Sequence, residues 1–321
     1  MVYDIFIASR SFSKFSEEPL EYLKENGCII DWNEQDRPFQ EDDLIKIISK
    51  YNGIIVGVDK VTKKVIQYGK KLKVIAKNGI GVDNIDLDAA SQAGIYVINA
   101  PGTNSNSVAD LVLALMLALS RKLIIIDQMT KSGMWKRKIG HELWGKKVGI
   151  IGTGRIGQGV AKRVIGFNCD ILAYDIQEDK NFAKKYKIKY YDLDYVLKNA
   201  DCVTLHIPFN KNTKDLISTR EFKLMKNSSF LINAARGGII NEEALYEALK
   251  NGLIAGAACD VFLEEPPQKS PLFELDNFIA TSHIGAYTYE SNYNTGITIA
   301  KDLINVLKGN KPINFVNKIY R

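Results

Sequence analysis

Three polar residues stand where apolar runs of the chain end. Arg236 follows Phe230-Leu231-Ile232-Asn233-Ala234-Ala235, Glu265 lies in Asp260-Val261-Phe262-Leu263-Glu264-Glu265-Pro266, and His283 lies in Thr281-Ser282-His283-Ile284-Gly285. These types suit proton transfer at a carbonyl carbon. Histidine titrates near neutrality, and a carboxylate partner favours its charged form. Arginine offers a planar fork to a carboxylate and positive charge beside a carbonyl oxygen. Taken singly each has a plainer reading: a solvated loop arginine, a surface acid before a proline, a partly buried loop histidine. Together they matter more, because carboxyl ends of strands in a doubly wound sheet converge on the ligand crevice.

A second constellation precedes them. Gly152-Thr153-Gly154-Arg155-Ile156-Gly157 follows the apolar run 148–151 and opens a helix-like segment. The first glycine permits the tight turn, the second lets backbone approach a pyrophosphate, and the third lets helix pack on strand. Asp175 ends the next apolar run, 18 residues beyond Gly157. A carboxylate there accepts hydrogen bonds from ribose hydroxyls and repels a 2′-phosphate, and no arginine directly follows it. The expectation is a dinucleotide site that takes NAD rather than NADP.

Both constellations must be held by alternating strands and helices. Strands are expected at 5–8, 28–30, 53–58, 74–76 and 96–98, with helices at 17–25, 42–51, 63–70 and 86–93 between them. From the glycine turn a second set follows, at 148–151, 170–174, 202–205, 230–233, 255–259 and 278–280. Strands spaced by helices argue for parallel sheets. A Pro-Gly loop at Pro101-Gly102 leads to Ser107 as helix N-cap, then to a long apolar helix over 108–126. A final amphipathic helix is expected over 289–308. The fold class is therefore α/β with two doubly wound parallel-sheet domains, one inserted in the other. Residues 1–100 and 285–321 form the outer domain and 101–284 the dinucleotide-binding one, with a hinge near Ala100 and Ile284 and ligand in the cleft.

Composition narrows the function. With 321 residues, 46% apolar and 25% charged, the chain is ordinary for a soluble protein of two domains. Its net charge of +6 is spread over lysines alternating with acids, which argues against a nucleic-acid partner. The longest uninterrupted apolar stretch, 111–119, is too short to span a bilayer, and no leader or membrane partner is expected. Cys28, Cys169, Cys202 and Cys259 show no metal or disulfide spacing, so reduced thiols in a cytoplasmic protein and no metal are expected.

In several segments the chain resembles the D-isomer-specific 2-hydroxyacid dehydrogenases. The likeness runs through Asn78-Gly79-Ile80-Gly81-Val82-Asp83, Asn99-Ala100-Pro101-Gly102, the glycine turn, Leu205-His206-Ile207-Pro208, Asn233-Ala234-Ala235-Arg236-Gly237, Asp260-Val261-Phe262 with Glu265-Pro266, and His283-Ile284-Gly285. Among members it is nearest the short-form phosphoglycerate dehydrogenases. The resemblance implies a Rossmann NAD-binding domain inserted in a flavodoxin-like substrate domain, acting on a small 2-hydroxy or 2-oxo acid. It implies a catalytic triad of Arg236, Glu265 and His283. It assigns the cofactor to Gly152, Gly154, Arg155, Ile156, Gly157, Asp175, Ala234 and Gly285. It further implies that Asp260 holds the nicotinamide carboxamide, His206 and Pro208 line the adenine side, and Thr213 approaches the pyrophosphate. The Asn78-Gly79-Ile80 backbone is expected to donate to the substrate carboxylate. His206 could equally be a core histidine at a strand end.

Departures from the family pattern bear on substrate. Phosphoglycerate dehydrogenases often carry an arginine at the position read here as Val56, so one phosphate ligand is missing. Lys60 and Lys77 could replace it, or be solvated surface lysines. D-3-phosphoglycerate is the first expectation, with glyoxylate or hydroxypyruvate as the alternative. A dinucleotide-sensing regulator on the same fold is the rival from another class. The chain ends soon after its last helix, so serine feedback through a further domain is not expected. The helix after Ser107 and the loop holding Trp135 and Trp144 are expected to form the arm of a homodimer, with packing inside one subunit as the alternative.

Overall fold

Short apolar runs joined by helical crossovers can pair only in parallel, because the crossover returns the chain to the starting edge. In the computed structural model, which describes residues 2–35 and 37–319, they build two compact units. One comprises Met1–Asn104 with Tyr287–Arg321, the other Ser105–Ala286, each boundary a few residues later than the sequence suggests.

The first unit runs β1 (Tyr3–Ile7), α1 (Glu18–Glu25), β2 (Cys28–Trp32), α2 (Glu41–Ile47), β3 (Gly53–Val56), α3 (Lys63–Tyr68), β4 (Val74–Lys77), α4 (Leu87–Gln92) and β5 (Tyr96–Ile98). Its strands pair in parallel in the order β2-β1-β3-β4-β5, the flavodoxin-like arrangement.

The second unit begins with α5 (Ser105–Ser120), α6 (Leu123–Lys131), β6 (Lys147–Ile151), α7 (Arg155–Val164), β7 (Asp170–Tyr174), α8 (Lys180–Tyr186) and β8 (Lys189–Tyr190). It continues with α9 (Leu193–Asn199), β9 (Cys202–Leu205), α10 (Thr219–Leu224), β10 (Phe230–Asn233), α11 (Glu242–Lys250), β11 (Gly256–Cys259) and β12 (Phe278–Ala280). The parallel order β12-β11-β10-β9-β6-β7-β8 reverses direction between β6 and β9. A crevice opens at the carboxyl ends of such a switch point. Finally, α12 (Tyr289–Leu307) returns to the first unit, where Ile299, Leu303 and Ile304 pack with Ile5, Ile7 and Ile55.

Apolar clusters cover both faces of each sheet, which is why the strands read as continuous apolar runs. The single long helix expected over 108–126 is corrected. It begins at Ser105, so Ser107 lies inside the first turn, and it breaks where Lys122 adopts a left-handed φ of 54°. Val112, Leu115, Met116 and Leu119 are buried among β-strand side chains of their own unit, so packing within the subunit accounts for most of that apolar run. Helix α6, by contrast, buries none of its residues. Six strands were expected from the glycine turn onward; β8 makes a seventh at the sheet edge. Among the described residues no helix is long and apolar enough to cross a membrane.

Candidate active site

The chemistry of the second unit starts at the end of β10. Asn233 is buried, and its side chain clamps the loop that follows: Oδ1 accepts from Ala235 N (3.1 Å) and Nδ2 donates to Arg236 O (2.9 Å). Arg236 Nη1 donates to Ala235 O at 2.8 Å. At Gly237 a Cβ would run into Phe262 O, so only glycine lets this loop lie against the one after β11. Phe262 N in turn donates to Glu265 Oε1 (3.1 Å), which aims the carboxylate. Glu265 Oε2 then meets His283 Nδ1 at 2.6 Å. Burial works to raise the Glu265 pKa. Hydrogen bonds from His283 and Phe262 N, with the charges of His283 and Arg236, outweigh it and hold the carboxyl below its ordinary value. The structure thus brings Arg236, Glu265 and His283 into one electrostatic group. Both His283 and Glu265 keep substantial exposure, with side-chain values of 51% and 36%.

A second carboxylate organises the same loop from below. Asp260 is 1% exposed. Its Oδ1 accepts from Thr281 Oγ1 (2.6 Å) and Ile284 N (2.8 Å), its Oδ2 from Gly285 N (2.8 Å), and its carbonyl from His283 N (2.9 Å). These bonds wrap the loop so tightly that His283 takes a left-handed φ of 54°, rare for a side chain with Cβ. Three of its acceptor positions serve the histidine loop, which leaves one on Oδ2 for the carboxamide expected there.

At the carboxyl end of β6 lies the glycine turn. Gly152, at φ 95°, brings its Cα against the end of β9, where a Cβ would stand 2.5 Å from His206 O. A Cβ at Gly157 would run into Gly152 O, whereas one at Gly154 would meet only open space. Helix α7 starts at Arg155 with no side chain capping its first N–H groups. A cradle closed behind, open in front and lined by uncapped N–H donors fits a pyrophosphate. Asp175 completes it just beyond β7, accepting from Thr153 N (2.6 Å), Thr153 Oγ1 (3.0 Å) and Gln177 N (2.9 Å). These residues fit NAD.

The remaining residues of the expected set fall less simply. His206 Nε2 lies 2.9 Å from Thr204 Oγ1, and Nδ1 is buried without a partner among the described residues. Burial pushes its pKa down to about 3, so the ring is neutral. Pro208 is exposed, Ala234 is buried, and Thr213 spends its hydroxyl on its own turn, donating to Pro208 O at 2.7 Å. In the first unit, two of the three N–H groups expected to hold a carboxylate already donate, Asn78 to Val56 O (2.8 Å) and Gly79 to Lys77 O (2.9 Å). The Asn78 amide instead spans Ser9 Oγ and Ser11 Oγ at 2.9 and 3.1 Å. Lys77 Nζ donates to Gly57 O and to Asn84 Oδ1 (2.8 Å), bracing the loop after β3, while Lys60 is exposed. Val56 is fully buried in β3, so an arginine there would face the core rather than a ligand. Among the described residues no three His, Cys, Asp or Glu side chains group as metal ligands.

The family model for "D-isomer specific 2-hydroxyacid dehydrogenase, NAD binding domain" matches residues 113–285. The chain belongs to this family. It is 44% identical over 306 residues to a D-3-phosphoglycerate dehydrogenase of Archaeoglobus fulgidus, covering 94% of this chain and 58% of that one. The chain thus spans little more than half the length of that relative. It is 41% identical over 285 residues to a glyoxylate reductase of Thermococcus litoralis, covering 86% of each. The crystal structure of the TT0316 protein of Thermus thermophilus superposes with a TM-score of 0.91 at 32% identity, over 98% of this chain and 99% of that one. For this family member the cofactor of the second unit is NAD.

Sequence reading missed Thr153, Tyr190 and Asn233 as working side chains. Thr153 lay inside the glycine turn, where glycines draw attention, and Asn233 inside an apolar run. Tyr190 carried no signal, because its strand is two residues long.

Proposed function

We propose that this chain is an NAD-dependent oxidoreductase of small D-2-hydroxy acids. The observation that carries the reading is the 2.6 Å pair of His283 Nδ1 and Glu265 Oε2, with Arg236 beside it, in a unit built for a dinucleotide. Bound at the glycine turn, NAD would supply the hydride acceptor for C2 of the hydroxy acid and, when reduced, the hydride donor for C2 of the 2-oxo acid. Glu265 fixes a proton on Nδ1, so Nε2 is the nitrogen that faces substrate. In reduction Nε2 of the imidazolium gives its proton to the oxygen developing at C2; in oxidation the neutral ring takes it back. Arg236 pairs with the substrate carboxylate and places positive charge beside the reacting oxygen. The N–H groups at the start of α7, with Gly152, Gly154 and Gly157, hold the pyrophosphate, and Asp175 the adenosine ribose. Ile176, 89% exposed next to Asp175, offers an apolar cover for adenine.

The preferred pair is D-3-phosphoglycerate and 3-phosphohydroxypyruvate, a reading supported by 44% and 42% identity to two D-3-phosphoglycerate dehydrogenases. A glyoxylate or hydroxypyruvate reductase is the second reading. The use of Lys77 as a loop brace favours it, as do relatives at 41% identity of similar length. Assaying NADH oxidation against phosphohydroxypyruvate, hydroxypyruvate and glyoxylate separates them. Preference for the phosphorylated acid supports the first reading, and preference for either other acid replaces it. Tight NADH binding with no turnover on any of the three points to a regulator.

We also assign the protein to the cytoplasm, since its four cysteines are free thiols, and to a homodimer. Leu123, Ile124, Trp135 (85% exposed) and Ile139 (90%) leave an apolar face on the second unit that suits a second copy.

A further inference from the structure

Asp175 is held by a hydrogen-bonded chain whose direction can be worked out atom by atom. A carboxylate oxygen only accepts, so the Thr153 hydroxyl, 3.0 Å from Asp175 Oδ2, must donate to it. That uses the only proton on Thr153 Oγ1. The Tyr190 hydroxyl, 2.8 Å away, must therefore donate to Thr153. Tyr190 in turn accepts from the backbone N–H of Asp179 at 3.1 Å. The chain thus runs one way, from Asp179 N–H through Tyr190 O–H and Thr153 O–H to Asp175 Oδ2. Its far end is itself fixed: Asp179 caps α8 by accepting from Phe182 N (2.9 Å) and also takes a bond from Gln158 Nε2 (3.1 Å) on α7. Aligned hydroxyls polarise one another, so each bond strengthens the next.

The consequence lies at the carboxylate. Thr153 N is the second donor on Oδ2, at 2.6 Å, and fills that oxygen. Oδ1 accepts one bond, from Gln177 N at 2.9 Å, and keeps one acceptor position. Three donors from three directions fix the plane of the group and leave a single place for a hydroxyl. Thr153 is buried, so its hydroxyl cannot trade this partner for water. We propose that Thr153 and Tyr190 are positioning residues that set the choice of dinucleotide, holding Asp175 so that a ribose hydroxyl is accepted and a 2′-phosphate refused. This also gives the two-residue strand β8 a purpose, since it delivers Tyr190 to the chain. The proposal rests on NAD occupying the glycine turn.

Direct binding tests it without turnover: calorimetric titration of the purified protein with NADH and with NADPH, alongside thermal unfolding of each variant. Thr153→Val keeps shape and backbone donor but loses the hydroxyl. It should weaken NADH binding about tenfold, from loss of a hydrogen bond to a charged group, with NADPH unchanged or improved. Thr153→Ser should restore the wild-type ratio of the two affinities. Tyr190→Phe should shift that ratio about threefold in the same direction. In an Asp175→Ala background, Thr153→Val should change the ratio no further. Equal loss of NADH and NADPH affinity in Thr153→Val would overturn the proposal, as would a ratio that Thr153→Ser fails to restore. Wild-type protein that binds neither dinucleotide would overturn the cofactor reading, and the proposal with it.

Discussion

Glu265 and Asp260 lie five positions apart and act on the same loop, yet they are opposites. Asp260 is almost wholly buried and grips backbone N–H groups and the Thr281 hydroxyl, which cannot change protonation at ordinary pH. Glu265 is partly exposed and grips the imidazole of His283, the group proposed to pass the proton. One carboxylate builds the platform and the other serves the chemistry mounted on it. The contrast teaches that an acid's role is decided by which donors it holds: backbone N–H groups and a hydroxyl for Asp260, a catalytic imidazole for Glu265.

Substitutions can break this contrast, and the largest effect belongs to the platform. Asp260→Asn turns one of the two oxygens into an NH₂, which then faces either Gly285 N–H or the Ile284 N–H and Thr281 hydroxyl. It should cost about 1–3 kcal/mol of stability by leaving a buried donor unsatisfied. It should also lower kcat about 100-fold by misplacing His283, which steady-state kinetics and denaturant unfolding would detect together. Glu265→Gln should keep the loop in place, lower kcat about tenfold and remove the stability that the ionised carboxylate supplies at pH 7. Its signature is pH. The folded pKa of Glu265 lies below the ordinary 4.5, so the unfolded chain binds the proton more readily. The stabilisation is therefore present above the ordinary value and lost as pH falls through the lowered one. Glu265→Gln should flatten that acid-side loss in unfolding experiments. Thr281→Val, which removes one donor while Asp260 keeps its backbone bonds, should be mildest, at about 0.5–1.5 kcal/mol with kcat within a few-fold.

Much of this site was legible in the sequence because its types are distinctive. A glycine turn, an acid at the next strand end, and Arg236, Glu265 and His283 each carry an unusual requirement. What stayed hidden was connectivity. Asp260 carries a cofactor role by resemblance, but its grip on the 281–285 loop shows only when the strand end and that loop are seen to share its oxygens. Val56 reads as a missing arginine until β3 is seen to bury it, and Lys77 as a free cation until Gly57 and Asn84 claim it. The fold was legible wherever runs were long enough to show a pattern. It failed at β8, which has two residues, and at Lys122, where a backbone reversal breaks a helix whose composition gives no sign of stopping.

The most direct test of the central claim replaces His283 with alanine and measures two quantities on one sample: NADH affinity by calorimetry, and kcat for the preferred 2-oxo acid. The account predicts unchanged NADH affinity and a kcat lower by about two to four orders of magnitude, because the proton donor is lost while the dinucleotide cradle is untouched. A kcat within a few-fold of wild type would contradict it.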